Sequence, residues 1–142
     1  MNNRDALKLA YYVYNNYPEF SKKFEFWQIL SLIDRNKEKI IYIRENNLFA
    51  GCAMYLTLTE ESFQFIKSDG TSLTDPNFMG KFIEEDGDNI HFIYVLAKGY
   101  KIIRKGIDKL LLLRSPKTIS WYNPKMNKFH YYKVKRSKLC HQ

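Results

Sequence analysis

The stretch from Asp88 to Tyr122 constrains the fold more than any other part of the chain. Ile90 to Leu96 is a largely apolar run of strand length, and Ala97-Lys98-Gly99 breaks it. Tyr100 to Leu113 then has the spacing of a basic amphipathic helix, and Thr118 to Tyr122 returns to strand character. A strand–helix–strand order requires a parallel pair with a helix laid across the sheet. It also sets a glycine and a helix N-terminus at the end of a buried strand. Unpaired N–H groups and the helix dipole make that place favourable for phosphate.

The rest of the chain supplies neighbours for this unit. Arg4 to Tyr17 places Ala6, Ala10, Val13, Tyr14 and Tyr17 on one helical face, with Asn3 as cap and Pro18 as terminator. A second helix is expected over 21–34, with Phe24, Trp27 and Leu30 or Ser31 on successive turns. Lys39 to Arg44 and Leu48 to Thr59 read as two strands joined at Asn46-Asn47, because asparagine tolerates the left-handed backbone that tight hairpins need. A short helix is expected from Thr59 to near Lys67, followed by a turn at Ser68-Asp69-Gly70. Asp75-Pro76 opens another helix, through Ile83, with aspartate as cap and proline at its first position. The acidic loop Glu84 to Asp88 leads into the central unit, and Asn127 to Lys135 is expected as a last strand. This order predicts a single α/β (α+β) domain over residues 1–142, with a mixed sheet and helices packed on its faces.

Composition narrows the class. A chain of 142 residues with 45% hydrophobic and 16% aromatic residues can bury a core and is not of the disordered type. Its longest apolar run, Leu48 to Leu56, falls well short of the roughly 20 residues that span a bilayer. Met1 to Asp5 begins without an apolar segment, so no signal peptide is expected and a cytoplasmic protein is the default. Charge is divided unevenly. Residues 1–97 carry 10 Lys/Arg and 14 Asp/Glu, whereas 98–142 carry 13 Lys/Arg against Asp108 alone. A segment this basic expects an anionic partner: nucleic acid, an acidic protein or a phosphate-bearing cofactor.

The order of two early helices, a long hairpin, a central strand ending in a phosphate loop, a helix and further strands resembles the GNAT superfamily of acyl-CoA-dependent N-acyltransferases. The likeness covers about residues 4–135 and lacks the strand that usually precedes the first helix. It is nearer to divergent members, the phage-encoded acyltransferase-like proteins and the toxin-activating lysine acyltransferases. The resemblance implies a mostly antiparallel central sheet, acetyl-CoA or another acyl-CoA as cofactor, and an amine acceptor on a small molecule or a protein lysine. It also implies that the strands flanking the basic helix diverge into a V-shaped cleft. By the same resemblance the cofactor lies against Val95, Leu96, Ala97, Lys98 and Gly99, with Lys101, Arg104 and Lys105 meeting its phosphates. The family loop is written Arg/Gln-x-x-Gly-x-Gly/Ala. Aligned on Gly106, this chain has Ile103 and Asp108 at two of those positions; the alternative puts the turn at Lys98-Gly99 and Gly106 inside the helix.

Aminolysis of a thioester needs a base for the amine and an acid for the leaving thiolate. His91 has a suitable ordinary pKa and, by two-residue alternation, shares a face with Ile93 and Val95; the preferred reading, however, is a hydrogen-bonded structural histidine at the strand's beginning. Tyr94 stands near the strand end, where the thioester would lie. Phe129-His130-Tyr131-Tyr132-Lys133 resembles the family's Phe-Tyr-x-Lys stretch, which makes Tyr132 a second candidate proton donor. Glu60, Glu61 and Glu84 to Asp86 could attract a basic amine or form a solvated turn. The three histidines and two cysteines lack metal-ligand spacing, and Cys52 in its apolar strand reads as a buried thiol. A rival class is a binding module: Trp121, Tyr122, Phe129, Tyr131 and Tyr132 alternate with lysines, the ingredients of a single-strand nucleic-acid platform.

Overall fold

The computed structural model describes residues 1–69, 76–97, 100–123, 126 and 128–134. Helix α1 (Asn3–Asn16) begins one residue earlier than the sequence pattern indicates, because Asn2 rather than Asn3 is the cap. The Asp5 N–H donates to Asn2 Oδ1 (2.8 Å), and the Asn2 N–H donates to Asp5 Oδ2 (3.1 Å), so two donors at the helix start are satisfied reciprocally. The expected second helix is divided: α2 (Pro18–Ser21) is followed by a break at Lys22–Glu25 and then by α3 (Phe26–Arg35). Phe24 is buried in that break. Trp27 is 65% exposed, and Ile29 and Ile33 are the buried residues of α3.

A 3-10 turn (Lys37–Lys39) leads to β1 (Ile40–Glu45), and the hairpin to β2 (Leu48–Leu58) closes through Asn46 and Asn47, both at positive φ (52° and 64°). This is the left-handed turn anticipated from the two asparagines. Two helices on one face follow, α4 (Glu60–Asp69) and α5 (Pro76–Phe82). α4 continues through Ser68 and Asp69, where a turn was expected, and Gly70 and the expected Asp75 cap lie outside the described residues. Then come β3 (Asn89–Ala97), α6 (Tyr100–Arg114), β4 (Thr118–Asn123) and β5 (Lys128–Lys133). The sheet order is β1-β2-β3-β4-β5, parallel between β3 and β4 and antiparallel elsewhere.

The sheet separates two cores. On one face α1, α3, α4 and α5 cover Cys52, Met54, Leu56 and Leu58. On the other, Ile103 and Leu110 of α6 pack on Ala53, Tyr55, Ile90, Phe92 and Ile119. With both faces covered, β2 is buried from Ala50 onward, which explains why the longest apolar run of the chain falls there. Burial drives the Cys52 thiol up to about 12, consistent with an inert core thiol.

Two glycines mark close approaches. A Cβ on Gly106 would stand 2.6 Å from Ile41 Cγ2, so its absence lets α6 settle onto β1. A Cβ on Gly87 would overlap the backbone carbonyl of Leu58. There the acidic loop turns against β2, and the Gly87 N–H donates to the Thr57 carbonyl (3.0 Å).

The acidic loop is structural. Glu85 Oε1 accepts from the Thr59 N–H (2.9 Å) and hydroxyl (3.0 Å), and its Oε2 accepts from Ser62 Oγ (2.6 Å), tying down the start of α4. The Glu85 carbonyl accepts from Lys39 Nζ (2.7 Å) and Thr57 Oγ1 (2.8 Å). Glu84 pairs with Arg35, Asp86 with Arg114, and Glu60 with Lys117. Glu85 is thus engaged within the fold, whereas Glu84 and Asp86 make surface pairs on a turn that is solvated as expected.

Candidate functional site

The parallel ladder between β3 and β4 begins at Asn89–Thr118 and ends at Phe92–Trp121. Both strands continue past that point: β3 through Ala97, paired only to β2, and β4 through Asn123, paired only to β5. The two strands therefore part like a fork. Among the described residues, no ladder joins β4 to β3 beyond Phe92.

A β-bulge sits at the branching point. Met54 pairs with Tyr94 and Tyr55 pairs with Phe92, so Ile93 is an extra residue on β3. The bulge invalidates simple alternation. His91 lies opposite Leu56 and Val95 lies opposite Ala53, and these two β2 residues belong to different cores. His91 and Val95 are consequently on opposite faces of the sheet, contrary to the face expected from the sequence. Ile93 packs on the core beneath α1 and α3, whereas Val95 is 45% exposed. No signal in the sequence marks the bulge, since Phe92-Ile93-Tyr94 fits an unbroken strand equally well.

Below the fork, buried polar groups bind the strands together. His91 Nδ1 lies 2.8 Å from Ser120 Oγ, and the imidazole stacks on Phe129 (5.6 Å between centroids, 6° between planes). Burial pushes the His91 pKa down to about 4, so the ring is neutral at physiological pH. Thr118 Oγ1 donates to Asn89 Oδ1 (2.6 Å), and Asn89 Nδ2 donates to the Leu58 carbonyl (3.2 Å). The structure thus gives His91 the surroundings of a strand-locking histidine, enclosed and one pair short of the fork.

The other expected site residues are distributed around the opening. Tyr94, Leu96 and Ala97 are on the free arm of β3 as backbone positions; their side chains, together with Lys98 and Gly99, lie outside the described residues. Lys101, Arg104 and Lys105 are exposed in the first two turns of α6, the helix that starts where β3 ends. Arg104 and Asp108 approach to 3.8 Å at i,i+4 spacing, so Asp108 partly offsets that positive charge. Tyr132 is elsewhere. It pairs with Ile119 on the edge strand β5, two positions short of the fork.

Of the aromatic residues named as stacking candidates, Trp121 is partly open. Trp121 (38% exposed) stacks on His130 (5.4 Å, 15°) and meets Tyr132 (49% exposed) edge to face (6.1 Å). On the opposite face of β5, Phe129 and Tyr131 pack against Phe63 of α4, and Lys67 Nζ stands 4.2 Å from the Tyr131 ring centroid. The Lys67 ammonium holds the Tyr131 phenol below the ordinary tyrosine range.

Other clefts lie away from the fork. One of about 560 Å³ borders Asn2, Asp5, Tyr42 and Arg44, where Arg44 pairs with Asp5 and lies over the Tyr42 ring (5.6 Å). Another, of about 260 Å³, lies at the far end of α6, beside Gly87 and Arg114. Among the described residues, no cluster of His, Cys, Asp or Glu could hold a metal ion, and no helix is long and apolar enough to cross a membrane. The sequence matches no family model, and no curated protein shows significant similarity to it.

Proposed function

We propose that this protein is an acyl-CoA-dependent N-acyltransferase of GNAT type, with the thioester held in the fork between β3 and β4. The observation that carries the reading is the end of the parallel ladder at Phe92–Trp121 while both strands run on. An extended chain with amide groups, such as the pantetheine arm of CoA, can pair with a free strand edge as another strand would. Residues 93–97 offer that edge, and the bulge at Ile93 changes the direction of its groups at the branching point. The arm would lead the pyrophosphate toward the start of α6, where orphan N–H groups and the cations Lys101, Arg104 and Lys105 favour negative charge.

In the reaction, the lone pair of an amine attacks the thioester carbonyl. The C–S bond breaks, the amine proton passes to a base, and the departing thiolate takes a proton from an acid. Tyr94, on the free arm opposite Met54, is the proposed proton donor. His91, neutral and enclosed, would hold the fork in register rather than accept the amine proton. Tyr132, two positions below the fork on β5, would have no direct part. The proposed acceptor is an amine on a small molecule or a protein lysine, and a cofactor of this kind implies a cytoplasmic protein.

Calorimetric titration with acetyl-CoA tests the reading. Saturable binding that weakens at least several-fold in a Lys101→Ala/Arg104→Ala variant is expected, because both cations face phosphate in this scheme. Absence of heat at millimolar acetyl-CoA would overturn it.

A further inference from the structure

The aromatic face of β4 and β5 is the largest feature left unused by acyl transfer. By register, Trp121, His130 and Tyr132 are on the same side of the sheet as Phe92 and Ile119, the side on which α6 packs. The cover reaches Ile119, which is buried, and Val134, which packs beside that core. Past them the ribbon is open, with Trp121 and Tyr132 exposed.

Three rings on two adjacent strands form a continuous surface. The Trp121 and His130 planes are within 15° of parallel, and Tyr132 stands edge-on beside them. Exposed aromatic surface of this size on an edge ribbon is unfavourable in water unless something covers it. Charge restricts what that is. Residues 98–142 hold 13 Lys/Arg and a single acidic residue, Asp108, although Lys133 lies on the opposite side of β5. Lys128 takes the next position on the same side of β5 as His130 and Tyr132, by two-residue alternation, and it is exposed. Flat rings that accept stacking, with the Lys128 cation beside them, fit an unpaired nucleic-acid strand: bases offer π-faces and phosphates offer charge. An apolar protein segment would gain little from the cations, and an acidic peptide would gain little from the stacked rings.

We infer that the outer face of β4–β5 is a binding platform for single-stranded nucleic acid, with Trp121 and Tyr132 stacking on bases and Lys128 meeting a phosphate. The platform is independent of acyl transfer, and either can stand without the other.

The test uses the full chain and a fluorescein-labelled oligodeoxythymidylate of about 12 nucleotides, a length within the range of known single-strand platforms. Anisotropy should show binding that weakens as salt rises. Trp121→Ala should weaken it roughly 5- to 150-fold, the loss of one stacked base, with a melting temperature close to that of the parent. Lys128→Ala should reduce the slope of log K against log salt by about 0.7. A second measurement leaves the platform intact. Because the chain has two tryptophans, Trp27→Phe makes Trp121 the sole indole emitter, and the oligonucleotide should quench it. Three results would overturn the inference. The first is no binding at low salt. The second is binding that Trp121→Ala leaves unchanged and that does not quench Trp121. The third is equal quenching by polyglutamate, which would point to an acidic protein instead.

Discussion

The two ends of the β3–β4 pair are built on opposite terms. From Asn89 to Phe92 each residue has a β4 partner, and the buried polar side chains Asn89, His91, Thr118 and Ser120 bond to one another or to the backbone. From Ile93 onward the strands separate, and Val95 and Trp121 emerge toward solvent. Buried polar groups that are fully satisfied hold a unique register, and each becomes costly once its partner is removed. The closed end can therefore carry the stability of the unit, which leaves the β3 arm available to a ligand. On this view, substitutions at the closed end should act on folding, and those at the open end on binding.

The largest effect is expected where the acidic loop braces the closed end. Gly87→Ala places a methyl group into the Leu58 carbonyl, a backbone atom that cannot yield without shifting β2. A loss of about 3 kcal/mol or more in chemical denaturation is expected. A loss below about 1 kcal/mol would show that the loop is not held against the strand.

His91 makes stability depend on pH in a stated direction. Its folded pKa of about 4 lies below the unfolded value near 6.5, so the unfolded chain binds a proton in that window and the folded chain does not. Its contribution is complete above pH 6.5 and is lost as pH falls toward 4, up to roughly 3 kcal/mol at about 1.4 kcal/mol per pH unit. Denaturation curves across this range should be less steep in pH for His91→Phe than for the parent. Identical pH slopes would mean that the imidazole is not enclosed.

Ser120→Ala removes the hydroxyl beside His91 Nδ1 and leaves that nitrogen unpaired in the core, with an expected cost of about 1–3 kcal/mol. The smallest effect on folding belongs to the open arm. Val95→Ser should change stability by less than about 0.5–1 kcal/mol, since the residue is 45% exposed, yet it should alter acetyl-CoA affinity. If Val95→Ser destabilises as much as Ser120→Ala, the two ends do not differ as described.

Much of this architecture was legible in the residues because local signals agreed. Asn46-Asn47 specified the hairpin turn, the apolar run at 90–96 the central strand, and the 100–113 spacing the helix over it. The mixed sheet with helices on its faces followed from their order, and its mostly antiparallel pairing agrees with what the resemblance implied. Three features were not legible, each because it depends on contacts distant in sequence. The bulge at Ile93 arises from pairing with β2, and it reversed the expected face of Val95. The work of Glu85 depends on Thr59 and Ser62 of a different element. Which candidate stacking residues share the open face depends on the β4–β5 register and on where α6 stops covering the sheet. Within the site, strand positions were readable, whereas the enclosure of His91 required its neighbours Ser120 and Phe129.

The central claim is that the fork receives a CoA arm. Amide NMR of the isotopically labelled protein during titration with CoA tests it position by position. The expected result is saturable shifts at residues 93–97, at Tyr122 and Asn123, and in the first turns of α6, with the ladder from Asn89 to His91 unmoved. No shifts at millimolar CoA, or shifts confined to other surfaces, would contradict it.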